Sequence, residues 1–117
     1  MTDVSATVVR DDERYKVVDF DLGDKTVSIT FLHPRQCTRG HTHPHKETYT
    51  LVEGSGIVVV GHDALRFNRT NAESIQVEPD DFHQVFNVSD KELVFMSIFD
   101  GARGDAKYAK ERSPGKA

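Results

Sequence analysis

Tryptophan is absent from the chain, cysteine occurs once and methionine twice. A core must therefore come from Val, Ile, Leu and Phe, and the lone Cys37 excludes an intramolecular disulfide. A single cysteine also fits a reducing cytoplasm. No apolar run approaches the roughly 20 residues that span a bilayer. Met1 to Glu13 is polar, with Asp3, Asp11, Asp12 and Glu13, and does not resemble a signal peptide. These absences lead us to expect a cytoplasmic protein with no membrane partner. Basic runs are missing too. Lys16, Lys25, Lys46 and Lys91 are scattered among acids and the formal charge is −4, which argues against a nucleic-acid partner because nothing could neutralise a row of phosphates. At 117 residues, 37% of them apolar, the chain has the size of one domain with a modest core.

What is present is a series of short β-patterns. Val17 to Leu22 alternates and meets the turn signal Gly23-Asp24; Thr26 to Leu32 is β-branched and alternating, and Pro34 ends it. Glu47 to Glu53 is followed across Gly54-Ser55-Gly56 by Ile57 to Val60, which reads as a hairpin. Leu65 to Phe67, Ser74 to Val77, His83 to Val88 and Leu93 to Phe99 complete the set, with turn residues between them. Many short strands at this spacing predict an all-β sandwich or closed barrel. Residues 1–14 read as a polar N-terminal arm, 15–101 as the barrel and 102–117 as a C-terminal segment, in which Ala106 to Arg112 suits a short helical turn. Leu93 to Phe99 is apolar on both parities, which fits a strand buried on both faces or lying at an interface.

The octet Gly40-His41-Thr42-His43-Pro44-His45-Lys46-Glu47 carries the chemistry. In an extended chain residues two apart share a face, so His41 and His43 can aim at one point and Glu47 keeps that parity. Pro44 breaks regular pairing and lets the chain curl. His83, about forty residues after His43, opens a later strand and can join by sheet topology. Three imidazoles and a carboxylate suit one divalent ion such as Fe, Mn, Ni, Co or Zn. In a six-coordinate shell they leave two positions for water or a bidentate substrate. His45 competes with His43 for a place, since H-x-H also fits His43 and His45. His33 and His62 sit beside turns and are expected in solvent; Cys37 is expected to be a small apolar filler.

These residues resemble the cupin superfamily. The first cupin motif, G-x₅-H-x-H-x₃₋₄-E-x₆-G, is matched by His41, His43, Glu47 and Gly54, with Arg35 in place of the leading Gly. The second, G-x₅-P-x-G-x₂-H-x₃-N, is matched by His83 and Asn87, with Ala72, Glu78 and Asp80 in place of Gly, Pro and Gly. The resemblance implies a double-stranded β-helix, or jelly-roll barrel, a metal held by His41, His43, Glu47 and His83, and a homodimer formed through a sheet face and the N-terminal arm. A narrower resemblance is to the archaeal cupin-type glucose-6-phosphate isomerases, carried by Thr38-Arg39-Gly40-His41-Thr42-His43 and Glu47-Thr48-Tyr49. It implies substrate contacts from Thr38 and Gly40. It departs at the C-terminal phosphate clamp, where Phe99 and Asp105 replace a Tyr and a His; neither can bind a phosphate dianion.

The expected function is metal-assisted isomerisation or epimerisation of a sugar or sugar-derived small molecule. Two adjacent substrate oxygens would bind the ion, with Glu47 or Tyr49 moving the proton. An iron-dependent dioxygenase and a non-enzymatic small-molecule-binding module are the alternatives. Phe31, Tyr49, Leu51, Val85 and Phe95 are the candidates for lining the barrel.

Overall fold

The computed structural model describes residues 4–68 and 74–101, and the backbone of 107–108. Eleven strands follow one another: β1 Ala6–Asp11, β2 Tyr15–Asp21, β3 Lys25–Leu32, β4 His41–Thr42, β5 Glu47–Glu53, β6 Gly56–Val60, β7 Asp63–Phe67, β8 Ile75–Val77, β9 His83–Phe86, β10 Leu93–Asp100 and β11 Lys107–Tyr108. They form two antiparallel sheets, ordered β1-β2-β3-β10-β5-β8 and β11-β4-β9-β6-β7. The chain crosses repeatedly between the two, as a jelly roll does. No helix long and apolar enough to cross a membrane occurs among the described residues.

Turn chemistry sets the connections. Gly23 takes a φ of 94° between β2 and β3, where Leu22 donates its N–H to the Lys25 carbonyl at 2.9 Å. Gly61, at φ 59°, closes the two-residue hairpin between β6 and β7, with Val60 opposite Asp63. Gly54 acts differently from the expected hairpin. β5 pairs with β10 and β8, while β6 pairs with β7 and β9, so Gly54 carries the chain from one sheet to the other. Its φ of 90° suits glycine, and a Cβ there would stand 2.6 Å from the Glu92 carbonyl oxygen.

Tyr15, Val17, Leu32, Tyr49, Val58, Phe67, Val77, Val85, Leu93 and Phe95 fill the space between the sheets. Leu51 packs against this core, so Tyr49, Leu51, Val85 and Phe95 lie where the sequence placed them. Phe31 does not. β3 turns Thr26, Ser28, Thr30 and Leu32 inward, which sends Phe31 to the outer face. Both parities of this strand resemble sheet residues, and one step of register exchanges the faces.

The N-terminal stretch is also more regular than its polarity suggested. Ala6–Asp11 pairs along β2 as an edge strand, with a bulge between Val8 and Arg10. Lys107 and Tyr108 are extended and pair with Thr42 and His41, where a helical turn was expected; the rest of 106–112 lies outside the described residues.

Candidate metal centre

The short strand β4 exists because His41 lies opposite His83 of β9. Two ligand candidates some forty positions apart thus become cross-strand neighbours. Glu47 opens β5 and faces Phe99 of β10 and Val77 of β8, and His43 lies on the loop between β4 and β5. The Asp80 N–H donates to the His43 carbonyl at 2.8 Å, tying the second motif's turn to the first motif's loop. Asp80 holds a φ of 67° and Arg35 one of 64°. At both of these positions the motifs have glycine and the structure needs a left-handed backbone, as it does at the motif glycine that is kept, Gly54. The turn geometry is preserved although both glycines are gone.

The side chains converge tightly. One donor atom from each of His41, His43, Glu47 and His83 lies within 4.8 Å of all the others. Nε2 of His83 is 2.9 Å from Nε2 of His41 and 2.9 Å from Oε1 of Glu47, which is 3.1 Å from Nε2 of His43. His43, Glu47 and His83 are 6%, 3% and 0% exposed, so bulk water screens little here.

The contact between His41 and His83 depends on where the ring protons sit. His41 Nδ1 lies 3.2 Å from the Arg39 carbonyl and His83 Nδ1 2.8 Å from the Asp81 carbonyl. A carbonyl only accepts, so each Nδ1 carries a proton, and Nε2 of the neutral His41 ring presents a lone pair. His83 Nε2 faces that lone pair at 2.9 Å and the Glu47 carboxylate at 2.9 Å, an arrangement that a proton on His83 Nε2 or a metal ion among the three groups satisfies. Burial, with His83 close by, pushes the His41 pKa down to about 4, so His41 does not supply that proton at neutral pH. Burial opposes ionisation of Glu47, yet hydrogen bonds from His43 and His83 hold its carboxyl far below the usual range. Burial likewise opposes charge on His43, but the Glu47 carboxylate raises its pKa above the ordinary value.

The donor set fits a transition metal in size as well as in type. With bonds of about 2.1 Å, neighbouring ligands stand about 3.0 Å apart around a six-coordinate ion and about 3.4 Å apart around a tetrahedral one. Three of the separations, 2.9 to 3.1 Å, lie near the first, and all four donor atoms fall within 4.8 Å of one another. The four residues are therefore close enough to hold an ion.

His45 lies outside this cluster, near Asp100. His33 bonds Glu92 at 2.8 Å at the surface, and His62 is exposed, as expected. Cys37 is buried but not in apolar surroundings, since Arg14 Nη2 approaches its sulfur to 3.3 Å.

Tyr49 and Thr38 both line a chamber that opens beside His41 and Glu47. The Tyr49 ring is fixed by edge contacts to Phe95 and His83, and the Thr38 hydroxyl accepts the Val85 N–H at 3.0 Å. Gly40 is not part of that lining; it is buried where any Cβ would strike the Phe82 ring.

Two contributors were not legible in the sequence. Phe99 stacks on His43 with 5.8 Å between ring centroids, and so orients it. Tyr15 accepts the Arg39 N–H at 3.1 Å through its hydroxyl, while the Arg39 carbonyl takes the His41 proton. The Arg10 guanidinium lies 3.8 Å over the Tyr15 ring. The inward parity of β2 was the one available signal for Tyr15.

Comparison with solved structures gives a cupin-2 domain protein of Rhodospirillum rubrum at a TM-score of 0.74 and 14% identity, covering 92% of this chain and 76% of that one. A cupin 2 conserved barrel protein of Rhodopseudomonas palustris gives 0.70 and 14%, covering 89% and 76%. The capsular polysaccharide assembling protein CapF of Staphylococcus aureus gives 0.76 and 16%, with 95% of this chain matching 33% of that one. At these identities the likeness is one of fold. No curated protein sequence matches. The cupin domain profile matches residues 28–99, which takes in both motifs and all four converging side chains. The chain belongs to the cupin family.

Proposed function

We propose that His41, His43, Glu47 and His83 hold one divalent transition-metal ion, and that the chain isomerises or epimerises a small sugar-like molecule bound to it. The observation carrying this reading is the convergence of three imidazole nitrogens and one carboxylate oxygen within 4.8 Å of one another. When bound, the ion would act as a Lewis acid on two adjacent substrate oxygens, lowering the cost of removing a proton from the carbon between them.

Glu47, held ionised by two imidazoles, supplies the negative charge of the ligand set. A carboxyl whose pKa is so low is a weak base, so proton movement falls first to Tyr49. Tyr49 stands two residues further along β5 on the same inward face, and a phenol both donates and accepts. Thr38 is a substrate contact on this reading, because it shares the chamber wall with Tyr49. Gly40 serves the substrate indirectly, by letting Phe82 close against the loop that carries His41.

The test is turnover by metal-loaded protein on a panel of aldoses and ketoses. Metal-dependent interconversion, lost in Tyr49→Phe, is the expected result. Oxygen consumption with Fe(II) and no interconversion would move the reading to a dioxygenase. Metal and ligand binding without turnover would leave a binding module. A second copy of the chain is the proposed protein partner, and the buried reduced Cys37 suits the cytoplasm proposed as its location.

A further inference from the structure

Strand β3, in the middle of the six-stranded sheet, is patterned the wrong way round for a simple core. On β3 the inward residues Thr26, Ser28 and Thr30 are 6%, 1% and 6% exposed, while Val27, Ile29 and Phe31 face outward. Cross-strand register extends the polar side. Asp19 pairs with Ser28, Ser28 with Ser97, and Ser97 with Tyr49, which is next but one to Glu47. The Thr26 hydroxyl in this row donates to the Gly101 carbonyl at 2.9 Å, while Ser28, Thr30 and Ser97 border an internal chamber. The same strands carry apolar residues that a shift of one position would have turned inward. A polar row kept inside beside such a chamber points to something polar lying against it.

The chamber against this wall has room for solvent of about 50 Å³, bounded by Ser28, Thr30, Ser97 and Tyr49 and reaching His41 and Glu47. At roughly 10–15 Å³ for each water, that is space for about three to five waters, or the end of a molecule about three carbons long. Hydroxyl walls donate and accept equally, which matches alcohols. A phosphate dianion needs cations and fixed donors instead. Arg39 is the one cationic residue of the lining among the described residues, and the buried carboxylate of Asp19 stands in the polar row.

We propose that this chamber receives the adjacent hydroxyls of a small, unphosphorylated polyol or hydroxy-carbonyl compound, with Ser28 and Ser97 as specificity-determining residues. This rests on the function proposed above, and names its substrate class.

The experiment is calorimetric titration of dihydroxyacetone, dihydroxyacetone phosphate and butanone, each into metal-loaded and metal-free protein. Dihydroxyacetone is expected to bind at least tenfold more tightly than either of the others. Ser28→Ala and Ser97→Ala are each expected to weaken it about tenfold with metal content unchanged. Equal binding of butanone, tighter binding of the phosphate, or indifference to both serine variants would overturn the proposal. Metal content is measured separately. If no metal loads, the metal reading fails by itself, and serine-dependent binding of dihydroxyacetone to the metal-free chamber still decides this one: its presence supports the proposal and its absence overturns it.

Discussion

His41 carries much of the pH sensitivity expected of the metal-free protein. Its pKa is about 4 when folded, against an ordinary 6.5. Between those values the unfolded chain binds the proton and the folded chain does not, so stability is present above pH 6.5 and is lost as pH falls towards 4. His43 acts oppositely, because its raised pKa favours the folded state at low pH. The net loss expected between pH 7 and 5 is about 1–2 kcal/mol, measured by urea unfolding of metal-stripped protein. Stability that rises over this interval would mean that His43 outweighs His41. Tyr15→Phe keeps the ring under Arg10 but leaves the Arg39 N–H unpaired. The expected outcome is a several-fold loss of affinity for Co(II) and a changed visible spectrum of the bound ion, with little change in melting temperature. At this scale the sequence revealed His41, His43 and Glu47 because local parity brings them together. It hid Tyr15 and Phe99, whose roles are contacts between strands distant along the chain.

At the scale of elements, backbone sign matters more than side-chain identity. Gly54 combines a φ of 90° with a close backbone neighbour at Glu92, so Gly54→Ala is expected to cost about 2 kcal/mol or more. Arg35 already tolerates a φ of 64°, and its ion pair with Asp90 is exposed. Arg35→Gly relieves left-handed strain but adds unfolded-state freedom and removes a weak surface pair. Its expected effect lies within about 0.5 kcal/mol of zero, and denaturant midpoints of the two variants check the contrast. Strand existence was readable from alternation and turn residues. Which face each strand buries was not, because Val27, Ile29 and Phe31 look as inward as Thr26, Ser28 and Thr30 look outward. Only the pairing of β3 with β2 and β10 resolves this. Pairing partners were equally hidden at Gly54, where a change of sheet and a hairpin share the same turn signal.

For the whole molecule, the inverted pattern leaves an apolar outer surface. Val18, Ile29 and Met96 align across three strands, as do Phe20, Val27 and Ile98. Val8 continues the first row on β1 and is 55% exposed. Such a face suits the second copy proposed as the partner, which would present a matching one. Sedimentation is expected to give twice the mass of the chain, and Ile29→Lys to give the monomer; a monomeric wild type would remove the dimer. Composition and the absence of long apolar or basic runs had already narrowed the molecule to a small β-domain with a metal-type histidine cluster. The cluster's purpose is the claim on which the rest depends. Its most direct test is metal content by mass spectrometry after loading and desalting, for wild type and for His41→Ala confirmed as folded by circular dichroism. About one equivalent of Fe, Mn, Ni, Co or Zn in the wild type and a large loss in the variant is the expected result. A wild type that retains none of these ions would contradict it.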